Sequence, residues 1–203
     1  MSRPRRQEAR RAELVEIVAK LLVSEGSTGA RIVDVARAAS ITPASVLYYY
    51  PSIFDLYSAA YSVVTEQFVK DRRLLVKRKD SATAQLVKCI QLGVPTPGTA
   101  SYSAAVLLGE LSSLANHRAE VRESAQQFET DQVELFAEIL ESGVVSGDFS
   151  PALELQSCAR LLLAAEDGLA TSVLAGRTTA ETSTDLLVRN ASLLVGQQLD
   201  VRE

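Results

Sequence analysis

Apolar residues recur along this chain at intervals of three and four, the period of a single helix face. Between residues 6 and 25, Ala9, Leu14, Ile17, Val18, Leu21 and Leu22 form one such stripe, and Gly26 follows as a C-terminal stop. STGA (27–30) reads as a loop. In RIVDVARAA (31–39), Ile32, Val35, Ala36 and Ala39 stand at i, i+3, i+4 and i+7, which predicts a short helix with a narrow, close-packing stripe. A break at Ser40-Ile41 leads into Thr42-Pro43, a natural N-cap followed by a natural first helical residue. The third helix is expected from about Pro43 to Tyr50, because Pro51 disfavours α geometry at the residue before it. Ser52 can cap a longer fourth helix through about Lys79, and Ala82–Gly93 makes a fifth. VPTPGT (94–99) is the strongest loop signal, and beyond it the period predicts helices over roughly 100–116, 118–142, 151–176 and 180–199. No segment alternates as a strand would. The expected class is all-α: a three-helix head over 1–55 and a larger helical bundle over 56–203, about nine helices in total.

Two helices of about eight residues joined by a three-residue turn make a helix-turn-helix, with Pro43–Tyr50 as its recognition helix. That helix ends in three consecutive tyrosines, although the chain has only 6 Tyr, 5 Phe and no Trp. Successive helical residues point about 100° apart, so three in a row cannot share one apolar face. Val46 and Tyr50 fall on the side that can pack against Ile32, Val35 and Ile41, while Ala44, Ser45, Tyr48 and Tyr49 turn outwards. Small residues at the helix start permit close approach to base edges, and a tyrosine hydroxyl can donate to a phosphate. Arg31, Thr42, Pro43 and Ser52 flank these positions and complete the candidate DNA contacts. The alternative is that all three tyrosines staple the third helix to the fourth.

Charge sharpens the picture. Net charge is −4, but residues 1–50 carry eight Lys and Arg against five Asp and Glu, residues 51–100 seven against four, and residues 101–203 six against sixteen. A polyanion would be drawn to the first half and repelled by the second. Composition is ordinary for a globular protein, at 47% hydrophobic and 23% charged. No apolar run approaches the ~20 residues of a membrane span, and the basic MSRPRRQEARRAEL has no apolar stretch behind it, so it is not a secretory signal. Cys89 and Cys158 lack metal-type spacing, and the single histidine leaves little to join them. Two reduced, packed thiols in a cytoplasmic protein without metal or cofactor are expected. Nothing suggests an enzyme: no nucleophile–base spacing, no phosphate-cradling glycine loop and no aspartate-rich metal motif.

GSTGARIVDVARAASITPASVLYYYPSIFDL (26–56) resembles the tetracycline-repressor (TetR) family of transcriptional regulators. The matching elements are Gly26, Val35-Ala36, Ala39, Ile41-Thr42, Tyr49-Tyr50, Pro51-Ser52 and Leu56. More loosely, EILESGVVSGDFSP (138–151) is similar to the family's turn between helices seven and eight, and AEDGLATSVLAG (165–176) to its helix eight. The resemblance implies a homodimer whose four-helix bundle comes from residues 151–199, an effector pocket within residues 60–150, and operator DNA as partner. Three positions depart from the pattern. Ser40 replaces the usual turn glycine, Leu47 the first tyrosine of the recognition helix, and Ile53 a lysine that meets phosphate. The basic side chains of Arg3, Arg5, Arg6, Arg10 and Arg11 can compensate along the DNA backbone.

LELQSCARLLLAAEDGLATSVLAG (153–176) is apolar almost all round, which suits a helix packed on two sides. Candidate dimer residues are Leu155, Leu162, Leu169 and Val173, with Leu186, Leu187, Leu193 and Leu194 from the last helix; the alternative places both helices centrally in a monomer. Candidate effector-pocket groups are Tyr102, Glu110, Asn116, His117, Phe128, Glu166 and Asp167. The adjacent acids Glu166 and Asp167 could pair with a cationic ligand, or instead bridge or face solvent at the dimer seam. The expected function is a sequence-specific DNA-binding transcriptional regulator, a ligand-responsive repressor that leaves its operator on binding a small molecule. A helical small-molecule-binding protein with a vestigial head is the alternative.

Overall fold

The computed structural model describes residues 3–76, 80–116 and 118–200. Nine helices and no strand occur among them: α1 (Arg3–Gly29), α2 (Ile32–Ala38), α3 (Pro43–Tyr49), α4 (Ile53–Val76), α5 (Ala82–Gly93), α6 (Ala100–Ala115), α7 (Ala119–Ser146), α8 (Leu155–Leu174) and α9 (Ala180–Val195). No helix among the described residues is long and apolar enough to cross a membrane.

The chain divides into two compact units, one built from Met1–Thr65 with Val106–Gln126, the other from Glu66–Ala105 with Gln127–Glu203. The expected head, residues 1–55, lies within the first. That unit fully buries Leu14, Val18 and Leu22 of α1, Val35 of α2, Val46 of α3 and Leu56 of α4. In the second unit, Leu86 and Ile90 of α5, Phe136 and Ile139 of α7, Leu162 of α8 and Leu187 and Val195 of α9 form one apolar core. Each such side chain contributes about 1.5–3 kcal/mol through burial.

Several helix ends differ from the periodic reading, and each has a local cause. α1 continues to Gly29, but Gly26 breaks it at φ 67° and ψ −177°, a conformation that glycine alone reaches cheaply. The break frees the Ser27 N–H, which donates to Glu110 Oε2 at 2.8 Å. α7 runs through Gly143 to Ser146, and the Phe149 ring lies where a side chain at residue 143 would stand. Ser150 N–H then donates to the Val195 carbonyl at 2.8 Å, and helix resumes at Leu155, four residues beyond Pro151. α9 stops at Val195 on a left-handed Gly196.

Candidate functional site

Local chemistry sets up the short α3. Ser40 turns the chain at φ 54°, and Thr42 then adopts extended geometry with its Oγ1 accepting the Ser45 N–H at 3.2 Å. Pro43 supplies the first helical φ, so the helix starts without an unsatisfied proline nitrogen. Val46 and Tyr50 are buried, Ala44 and Tyr48 are exposed, and Ser45 and Tyr49 are half-buried. Tyr48 is 66% exposed and meets Tyr49 edge-to-face at 5.2 Å. Thr42 and Pro43 are exposed at the same end.

The first helix holds α3 in place. Arg11 donates to the Tyr49 carbonyl at 2.7 Å and stacks 4.3 Å from the centre of the Tyr50 ring, whose hydroxyl donates back to the Arg11 carbonyl. Gln7 Nε2 donates to the Tyr48 hydroxyl at 3.1 Å, and Arg10 is paired with Glu13. Arg5 and Arg6 are exposed on the first turns of α1, so they project from helix rather than from an extended tail. On α2 and its N-cap, Arg31 and Arg37 both reach Asp34, at 2.9 and 3.1 Å. The Arg31 hydrogen bond holds the Asp34 carboxyl below its ordinary range. Ser52 closes a reciprocal cap with Asp55: its N–H and hydroxyl donate to Asp55 Oδ2, and the Asp55 N–H donates to Ser52 Oγ. Its hydroxyl is thus already engaged. Ile53 lines an open apolar cleft of about 490 Å³ with Ile32, Val33, Phe54, Tyr57 and Leu114.

The interior of the second unit holds an ion pair. Arg72 of α4 is completely buried and gives its Nη2 to Glu166 Oε2 of α8 at 2.5 Å and to the Cys89 carbonyl of α5 at 2.9 Å. Its guanidinium lies 4.9 Å from the centre of the Phe68 ring and 5.2 Å from that of Phe136. Gly93 of α5 makes this packing possible, since any Cβ there would meet both the guanidinium and the Glu166 carboxylate. Desolvation pushes the Glu166 carboxyl above its ordinary range against the pull of Arg72. Asp167 is pushed up to about 6, first by desolvation and then by the charge of Glu166. Burial pushes the Cys89 thiol up to about 11.

Six of the seven candidate pocket groups separate between the two units. Glu110 caps the break after Gly26, and Asn116 is exposed with its carbonyl accepting from Arg122; both belong to the first unit. Tyr102, Phe128, Glu166 and Asp167 belong to the second. Phe128 packs edge-to-face on Phe68 at 6.0 Å, and the half-buried Tyr102 donates its N–H to Thr99. Glu166 is committed to Arg72 rather than open to an incoming cation. His117 lies outside the described residues.

No protein-family model matches the sequence, and no curated protein matches it. Solved structures do. A protein from Rhodococcus sp. assigned to the TetR family of transcriptional regulators superposes with a TM-score of 0.80 at 21% identity, covering 92% of this chain and 99% of the other. A TetR transcription regulator from Haloarcula marismortui gives 0.80 at 21% identity over 93% and 99%. A protein from Saccharomonospora viridis assigned as a transcriptional regulator and solved with choline gives 0.82 at 20% identity over 89% and 94%. The chain has the TetR-family fold.

Within that fold, the outer faces of α8 and α9 divide the candidate dimer residues. Leu186 and Leu193 are 49% and 84% exposed, and Leu155, Leu169, Val173 and Leu194 are half-buried. Leu162 and Leu187 are both 1% exposed and pack in the chain's own core. Leu161, 48% exposed, was not singled out. The sequence reading also missed Arg72. The signal was present, because Arg72 continues the buried stripe of Tyr61, Thr65 and Val69 on α4 while its neighbour Arg73 turns outwards to Glu138.

Proposed function

We propose that this protein is a ligand-responsive, sequence-specific transcriptional regulator that binds operator DNA as a homodimer. One observation carries the reading: a capped seven-residue α3 that begins with small residues, exposes Tyr48 and is braced from behind by Arg11 and Tyr50. Ala44 and Ser45 admit a base edge, Tyr48 and Tyr49 meet sugar or phosphate, and Arg31 and Arg37 flank them with exposed charge. Arg5 and Arg6 add phosphate contacts in place of the lysine that Ile53 replaces. Each protomer places α3 in a major groove, with half-sites about one helical turn or more apart.

The TetR-family fold and the choline bound to the Saccharomonospora viridis protein support a small-molecule effector, which acts by binding the two states of the dimer unequally. Repression relieved by that effector is the mode of action. Selection of random duplexes by the purified protein, at several salt concentrations, tests the reading. A palindromic site is expected, with affinity falling steeply with salt and lost in Tyr49→Ala. Failure to enrich any site at low salt would sink the reading. The remaining account is then the small-molecule-binding protein with a vestigial head, which Leu47 and Ile53 favour.

A further inference from the structure

Arg72 has more hydrogen-bonding capacity than its surroundings use. Its Nη2 is engaged twice, but Nε and Nη1 are buried and have no partner among the described residues. An arginine is among the costliest side chains to desolvate, and replacing a buried ion pair by apolar residues is often neutral or stabilising. A guanidinium kept in an aromatic cradle with donors to spare is therefore poorly explained by stability alone. Unused N–H groups of a fixed guanidinium suit oxygen-rich anions, carboxylate or phosphate, better than any other small group. The Phe68 and Phe136 rings supply apolar surface beside it.

The geometry points to Arg72 as the recognition residue for the anionic head group of an apolar organic effector, engaged through Nε and Nη1 while Glu166 and the Cys89 carbonyl hold Nη2. This deepens the effector reading above and rests on it. Cationic ligands are excluded from the cradle because Arg72 already occupies it as the cation between the rings and Glu166.

The test uses the full-length protein and four eight-carbon probes: octanoate, octyl phosphate, octanol and octyltrimethylammonium. Thermal unfolding is followed at millimolar concentrations of each. One or both anions are expected to raise the melting temperature in a concentration-dependent way, and which of them does so separates carboxylate from phosphate. Octanol and the ammonium should leave it unchanged. The double variant Arg72→Met/Glu166→Leu, which removes the pair together and so avoids stranding a charge, should fold and lose the response. Equal shifts by all four probes, a shift with the ammonium alone, no shift with either anion, or a response kept by the double variant would each overturn the proposal. Duplex selection by the wild-type protein reads the regulator function separately, so a failed anion response leaves that result standing.

Discussion

Ser40 carries a side chain through a backbone conformation that glycine adopts without steric cost, at φ 54°. A left-handed residue other than glycine costs about 1–2 kcal/mol, and glycine returns part of that through a larger entropy loss on folding. Ser40→Gly should therefore raise stability by about 0.5–1 kcal/mol in urea unfolding, without altering the helical spectrum. Gly93 is the opposite case. A methyl there collides with the Arg72–Glu166 pair, which is too tightly packed to yield. Gly93→Ala should cost about 3–5 kcal/mol, as breaking a buried ion pair does, seen as a fall in the unfolding midpoint. Asp167 makes stability depend on pH. Its folded pKa of about 6 exceeds the ordinary 3.8, so the folded chain holds a proton that the unfolded chain releases. The contribution is most favourable below about 4 and is lost as pH rises through 6. Asp167→Asn should be more stable than wild type at pH 7.5, and that advantage should shrink steadily as pH falls towards 4.

Among elements, what was legible in the sequence follows from how many local signals agree. Thr42, Pro43, Tyr50 and Pro51 bracket α3 with a cap, a start and a stop, and the helix occupies Pro43–Tyr49. α8 lacked such agreement. With apolar residues on every side, its 3.6-residue period identifies a helix but not which face meets the chain's own core. Spacing alone therefore grouped Leu162 with Leu169, though the first is core and the second half-exposed. The partner of Glu166 was illegible for a related reason: it is Arg72, 94 residues earlier in the chain. The exposed leucines of α8 and α9 carry the dimer prediction. The double variant Leu161→Glu/Leu193→Glu alters two exposed side chains and no core residue, so it should remain helical by circular dichroism. It should sediment as a monomer where the wild type sediments as a dimer. A wild type that is itself monomeric defeats the prediction.

At the scale of the whole molecule, basic residues concentrate in the first hundred positions and acidic ones in the last hundred. This division directs a polyanion to one part of the chain despite a net charge of −4. The first compact unit is not one continuous stretch: Val106–Gln126 joins Met1–Thr65 after an excursion of forty residues through the second. Within the added stretch, Leu107, Leu111 and Val121 are at most 1% exposed, and Glu110 holds the chain where α1 breaks. A fragment of residues 1–65 should therefore unfold at a lower temperature than the intact protein and bind a fluorescent reporter of apolar surface. Recombination meets the same obstacle. A single crossover near residue 55 would transplant α1, α2 and α3 and leave part of their support behind. Lineages carrying this topology would then vary the exposed face of α3 through point substitutions, rather than by borrowing a finished head from another gene.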